Sequence, residues 1–141
     1  MRVSLVATEG PWLEAKISTP YGLLSVMDEF TLDGRSAPEV GDEFEVELSA
    51  TLLDDDESWE TMFGGNPDKR KALDHIEGWN YRAFGQVTSI DPVVVDCGMI
   101  QIPDVFHSHD SRVIGEFIAF TITRLEAAQN NKAEQAGAQN P

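Results

Sequence analysis

Between residues 12 and 19 apolar and polar side chains alternate, with Leu13, Ala15 and Ile17 on one side and Glu14, Lys16 and Ser18 on the other. A period of two predicts a strand with one face in a core. Pro20, Tyr21 and Gly22 supply a turn, and residues 23–30 read as the returning strand of a hairpin that ends before the loop 33–38. The clearest alternation follows. Phe44, Val46 and Leu48 share one side while Glu43, Glu45 and Glu47 share the other, so one face is expected in the core and the opposite face in water. From Tyr81 the pattern resumes, with Ala83, Gly85, Val87 and Ser89 opposed to Arg82, Phe84, Gln86 and Thr88. Short apolar runs at 93–96 and 99–102 come next, and the run 112–125 predicts a last strand covered on both faces.

Residues 54–79 break the alternation. Asp55, Asp56 and Glu57 predict the start of a short helix over 58–63, closed by Gly64 and Gly65. Pro67 predicts the opening of a second helix that carries Ala72, Leu73 and Ile76 inward and stops at Gly78. The expected helical insertion therefore covers residues 55–78. After Glu126 no apolar residue is larger than alanine, and residues 126–141 are expected to form a disordered tail, leaving 1–125 as a single domain. Roughly seven short strands with one helical insertion predict a mainly β fold, either a small antiparallel barrel of the oligonucleotide-binding (OB-like) type or a sandwich.

Charge narrows the partners. Twenty-five acidic residues stand against ten basic ones, a formal net charge of -15. Such a field repels a polyanion, which excludes a nucleic acid as the natural partner and favours a basic protein. Between Glu39 and Glu60 the chain carries ten carboxylates and no lysine or arginine, an acidic stripe. The longest apolar runs fall far short of a membrane span, and the first residues are too soon interrupted by Thr8, Glu9, Gly10 and Pro11 for a secretion signal. No membrane association and a cytoplasmic location are therefore expected. A lone cysteine, Cys97, fits a reducing compartment and offers no internal disulfide.

Several groups bear on chemistry. Trp59 and Phe63 beside Asp54, Asp55, Asp56, Glu57 and Glu60 combine aromatic anchors with a charged rim, the composition of a partner-binding surface. His107, His109 and Asp110 place two imidazoles and a carboxylate within four residues, a weak pattern for a metal centre that lacks a recognisable further ligand. Cys97, in the run Asp96-Cys97-Gly98, admits a nucleophile reading with His107 or His109 as its base, although a cysteine between apolar strands most often behaves as a small buried hydrophobe. Gly64, Gly65 and the basic triplet Lys69, Arg70, Lys71 resemble a phosphate cradle but lack the spacing and the hydroxyl residue of one. Asp54 to Glu57 also lacks the alternating ligands and glycine of a calcium loop.

The leading expectation is a non-enzymatic acidic protein-binding module without a cofactor. In charge and size alone it is like small acidic inhibitors of basic toxins, immunity proteins for nucleases among them. The alternatives are a small metal-dependent hydrolase using His107, His109 and Asp110, and a structural β-barrel subunit of an assembly.

Overall fold

A computed structural model describes residues 1–32, 36–52 and 58–129 of this chain. The mainly β reading holds. Nine strands form a sheet: β1 (Arg2–Thr8), β2 (Glu14–Thr19), β3 (Gly22–Glu29), β4 (Glu43–Leu52), β5 (Ala72–Glu77), β6 (Asn80–Ser89), β7 (Val94–Asp96), β8 (Gln101–Pro103) and β9 (Phe117–Gln129). Among the described residues one short helix, α1 (Trp59–Gly64), and a single 3-10 turn, η1 (Ser111–Val113), interrupt them. The path β3-β2-β1-β4-β9 closes on itself because β3 also pairs with β9. The result is a ring of five strands, the number in an OB-type barrel. The strand β1 carries no regular alternation after Leu5 and is not predicted by the pattern above. No helix among the described residues is long and apolar enough to cross a membrane.

The chain divides into two compact units, the first comprising Met1–Leu48 with the chain from Glu126 onward, the second Ser49–Leu125. In the first, β2 and β3 form a hairpin from Thr19↔Gly22 to Glu14↔Met27. Gly22 sits at φ 121, a backbone region open to glycine and strained for other residues. Its carbonyl accepts from the Thr19 hydroxyl at 2.8 Å. β1 pairs with both β2 and β4, so that Leu5 faces Ile17 and Val3 faces Phe44. Ile17, Val26 and Val46 are almost completely buried, each worth about 1.5–3 kcal/mol relative to exposure, and the rings of Phe30 and Phe44 meet at 5.0 Å. Leu13, expected inward, is instead 50% exposed.

The expected tail begins later than the composition suggests. Residues 126–129 belong to β9, where Met27 pairs in parallel with Glu126 and Asp28 with Ala127. Ala127 is fully buried. Small side chains suit a strand whose backbone hydrogen bonds, rather than its own apolar bulk, hold it in place. Residues 130–141 lie outside the described residues.

In the second unit β6 is the organising strand. It pairs with β9 from Tyr81↔Ile122 to Gln86↔Phe117 and with β7 through Gln86↔Asp96 and Val87↔Val95. Ala83, Gly85 and Val87 face inward as their alternation predicts. The last strand starts at Phe117, not at Arg112, because residues 111–113 form η1.

The helical insertion is mostly not helical. Among its described residues only 59–64 form a helix, capped by Ser58, whose side chain accepts the Thr61 N–H at 3.1 Å. The second expected helix is the strand β5, which pairs with β6 from Ala72↔Phe84 to Glu77↔Asn80. Gly78, at φ 54, does not stop a helix. It provides the positive backbone angle that a two-residue hairpin loop needs. Ile76 is correspondingly 56% exposed rather than inward.

Candidate functional site

The residues singled out in and before α1 divide sharply. Asp54, Asp55, Asp56 and Glu57 lie outside the described residues, whereas Trp59, Glu60 and Phe63 sit on the helix itself. A helix of six residues does not persist on its own propensity, and here aromatic packing holds it. Trp59 stacks on Phe63, with ring centroids 5.3 Å apart and planes inclined by 7°. Phe106, from the loop between β8 and η1, meets both edge-on at 5.0 Å and 5.6 Å. Geometries of this kind add about 0.5–1.5 kcal/mol per pair beyond burial. Met62, one turn on from Trp59, is buried.

Trp59 nevertheless remains 52% exposed, while Phe106 is 9% exposed. The arrangement thus supports a large indole from beneath and leaves it in water, with Glu60 exposed beside it. Phe106 was not among the residues expected here. A lone aromatic in the polar run around residues 104–110 is the only sequence signal for it.

Phe63 also lines a cavity of about 320 Å³ together with Asn66, Pro67, Lys69, Gly115, Glu116 and Phe117. Buried Asn66 fixes its floor. Its amide nitrogen donates to the carbonyls of Arg70 and Ile118 at 3.0 Å and 3.2 Å, and its oxygen accepts the Arg70 N–H at 2.8 Å. The glycine-rich segment before it serves packing, since a Cβ on Gly65 would lie 2.6 Å from the Thr61 carbonyl oxygen and 2.9 Å from Ala119. The basic triplet does not converge. Arg70 makes two hydrogen bonds to Asp74 at 2.9 Å and 2.8 Å and lies 4.5 Å over the Phe84 ring, whereas Lys71 pairs with Asp96 at 3.0 Å.

His107, His109 and Asp110 are engaged separately. His107 is exposed, and His109 pairs through Nδ1 with Asp91 at 2.7 Å. Asp110 caps η1 and grips the Arg112 guanidinium, which holds its carboxyl down at about 2. Among the described residues no three His, Cys, Asp or Glu side chains are grouped to hold a metal ion.

Cys97 is 1% exposed. Burial first, and the neighbouring Asp96 second, push its thiol from the usual 9.0 up to about 12, so at neutral pH it is a protonated core side chain, a poor nucleophile. Because the folded-state value is the raised one, the stabilising contribution is complete below about 9 and is lost as the pH rises toward about 12. Above about pH 9 the wild type should lose stability faster than Cys97→Ala, by about 1.4 kcal/mol per pH unit. Parallel curves in urea unfolding between about pH 9 and 11 would show that Cys97 titrates alike in both states.

In the first unit the acidic stripe is visible as a face. Glu43, Glu45 and Glu47 project from the exposed side of β4, with the Met1 amine 3.2 Å from Glu45 and Arg2 3.7 Å from Glu43. The exposed Arg2–Glu43 pair contributes about 0–1 kcal/mol, and the face remains strongly negative. Compared with known proteins, the chain matches no family model, and it resembles no curated protein or solved structure.

Proposed function

We propose that this protein is a non-enzymatic binding module that docks on a basic protein, in the manner of an inhibitor of a basic toxin or nuclease. The observation that carries this reading is Trp59, half exposed yet braced against Phe63 and Phe106. A tryptophan held rigid in water loses little further conformational freedom on binding and offers a large apolar surface to a partner, the character of an interface anchor. The negative field supplies the other half. It raises the association rate of a basic partner and makes that rate fall with salt.

The test is capture of partners from the lysate of the native host on the immobilised chain, at low and moderate salt, with the captured protein then purified and titrated. A basic protein whose affinity falls as salt rises, and falls about tenfold or more with Trp59→Ala, is the expected result. A captured protein indifferent both to salt and to Trp59→Ala would remove the reading. So would the recovery of no specific protein at either salt.

A further inference from the structure

The first unit carries another exposed apolar cluster, away from α1 in sequence. The chain leaves β1 at Thr8 and enters β2 at Glu14, and this loop bears Trp12 and Leu13, 56% and 50% exposed, while Val6 on β1 is 43% exposed. The loop is built, not slack. The Glu9 N–H donates to the Glu14 carbonyl at 3.0 Å, the Trp12 N–H donates to the Asp28 carbonyl at 2.8 Å, and the Asp28 N–H donates to the Leu13 carbonyl at 2.9 Å. Trp12 itself is held at φ 67, a backbone region that a bulky residue rarely enters. Beside the loop runs a groove of about 320 Å³ lined by Ala7, Thr8, Glu9, Glu14, Ala15 and Lys16.

Charge selects the occupant. Neither the Glu9 nor the Glu14 carboxylate has an ion-pair or hydrogen-bond partner among the described residues. The cations described in this unit are the Met1 amine, which is close to Glu45, Arg2, which is close to Glu43, and Lys16. A second copy of the chain would bring its own charge of -15 against this one, and a polyanion would be repelled in the same way. A lysine- or arginine-bearing protein segment meets both requirements, its cation at Glu9 and Glu14 and its apolar side chain at Trp12, whose ring face also attracts a guanidinium.

We infer that the groove along residues 7–16 and the Trp12 loop form a second docking surface, which takes an apolar side chain flanked by arginine or lysine from a partner protein. The inference rests on the reading that the partner is basic, and it names a contact that reading does not contain.

It is tested on the full chain labelled with nitrogen-15, titrated with an acetylated and amidated pentapeptide in which arginines flank a central leucine between terminal glycines. A counterpart carries glutamates in place of the arginines. The expected result is saturable shifts of the Trp12 indole N–H and of the backbone amides of residues 8–10 and 12–16 with the arginine peptide alone. Trp12→Gly removes the ring with the one residue that accepts this backbone angle freely, and should weaken binding about tenfold. Glu9→Gln with Glu14→Gln should weaken it by about the same factor without touching the apolar contact. Shifts confined to Trp59 and Phe63 would overturn the second surface and leave the basic-partner reading standing. No shift at either tryptophan would overturn both. Equal response to the glutamate peptide, or peptide-free broadening at Trp12 that grows with protein concentration, would also overturn the inference, the latter in favour of a second copy.

Discussion

Asp28→Ala is expected to lower the unfolding free energy by about 3 to 4 kcal/mol. Asp28 is completely buried, and its carboxylate is a hub. One oxygen accepts the N–H groups of Phe30 and Thr31 at 3.0 Å and 2.9 Å. The other accepts the hydroxyls of Thr8 and Thr31. Alanine removes four charge-assisted bonds and strands the buried Phe30 amide, and an unpaired buried donor costs about 1–3 kcal/mol by itself. Relief of the carboxylate's own desolvation offsets part of the loss. Asp28→Asn keeps the shape and one acceptor oxygen while its amide nitrogen faces two hydroxyls that can rotate to accept, so a loss of about 1–2 kcal/mol is expected. Urea unfolding of the three proteins reads the order directly, and an alanine variant within about 1 kcal/mol of wild type would show that the hub is dispensable. Thr8 also accepts the Gly10 N–H at 3.1 Å. The same substitution should therefore loosen the Trp12 loop, visible as faster hydrogen exchange at Trp12 and Leu13.

This hub is not legible in the sequence. Asp28 sits among Val26, Met27 and Phe30, where a carboxylate reads as a break in an apolar strand, and its partner Thr8 lies 20 residues away. Alternation, by contrast, exposes a strand whenever one face is wet. The patterns at 43–48 and 81–89 therefore fall within β4 and β6, and the pattern at 12–19 covers β2 while starting two residues before it. Residues 72–77 mislead because Ala72, Leu73 and Ile76 fall at a spacing compatible with a helix, and pairing with β6 overrides that preference. Residues 126–129 mislead in the opposite sense: too small to signal a core, they are ordered by the parallel partner Met27, Asp28 and Glu29.

At the candidate site the same distinction holds. Trp59 and Phe63 announce themselves by chemistry and by their i, i+4 spacing, but Phe106 comes from 43 positions further along the chain and no local pattern links it to the helix. His109 is drawn to Asp91, 18 positions earlier in the chain, a tertiary neighbour that spacing does not encode, whereas Asp110 is taken by its own local cap with Arg112. Trp12 is hidden for a different reason. Its alternating neighbours Leu13, Ala15 and Ile17 suggest an ordinary half-buried strand, whereas the ladder ends at Glu14 and the remainder turns out to water.

Gly85→Ala is the second large effect, and two opposing terms decide it. Gly85 lies inside β6 opposite Ile118, without the positive backbone angle that would make alanine strained. On local grounds alanine should help, since it restricts the unfolded chain by about 0.4–1 kcal/mol. Space reverses the sign. A Cβ at this position would lie 2.6 Å from the Asp96 carbonyl oxygen, 2.7 Å from Val95 Cγ1 and 2.9 Å from Cys97 Sγ. The first of these is backbone, fixed by the pairing of Gln86 with Asp96 and Val87 with Val95, and Val95 and Cys97 are themselves core side chains. Relief therefore requires β7 to move away from β6 as a unit, and a net destabilisation of about 2–3 kcal/mol is expected. The nearby thiol offers a local readout as well. If β7 is displaced, Cys97 should react with a thiol reagent measurably faster in folded Gly85→Ala than in the wild type, because exposure lets the thiolate form. An alanine variant as stable as the wild type, with Cys97 equally protected, would mean that β6 and β7 have room that their present separation does not show.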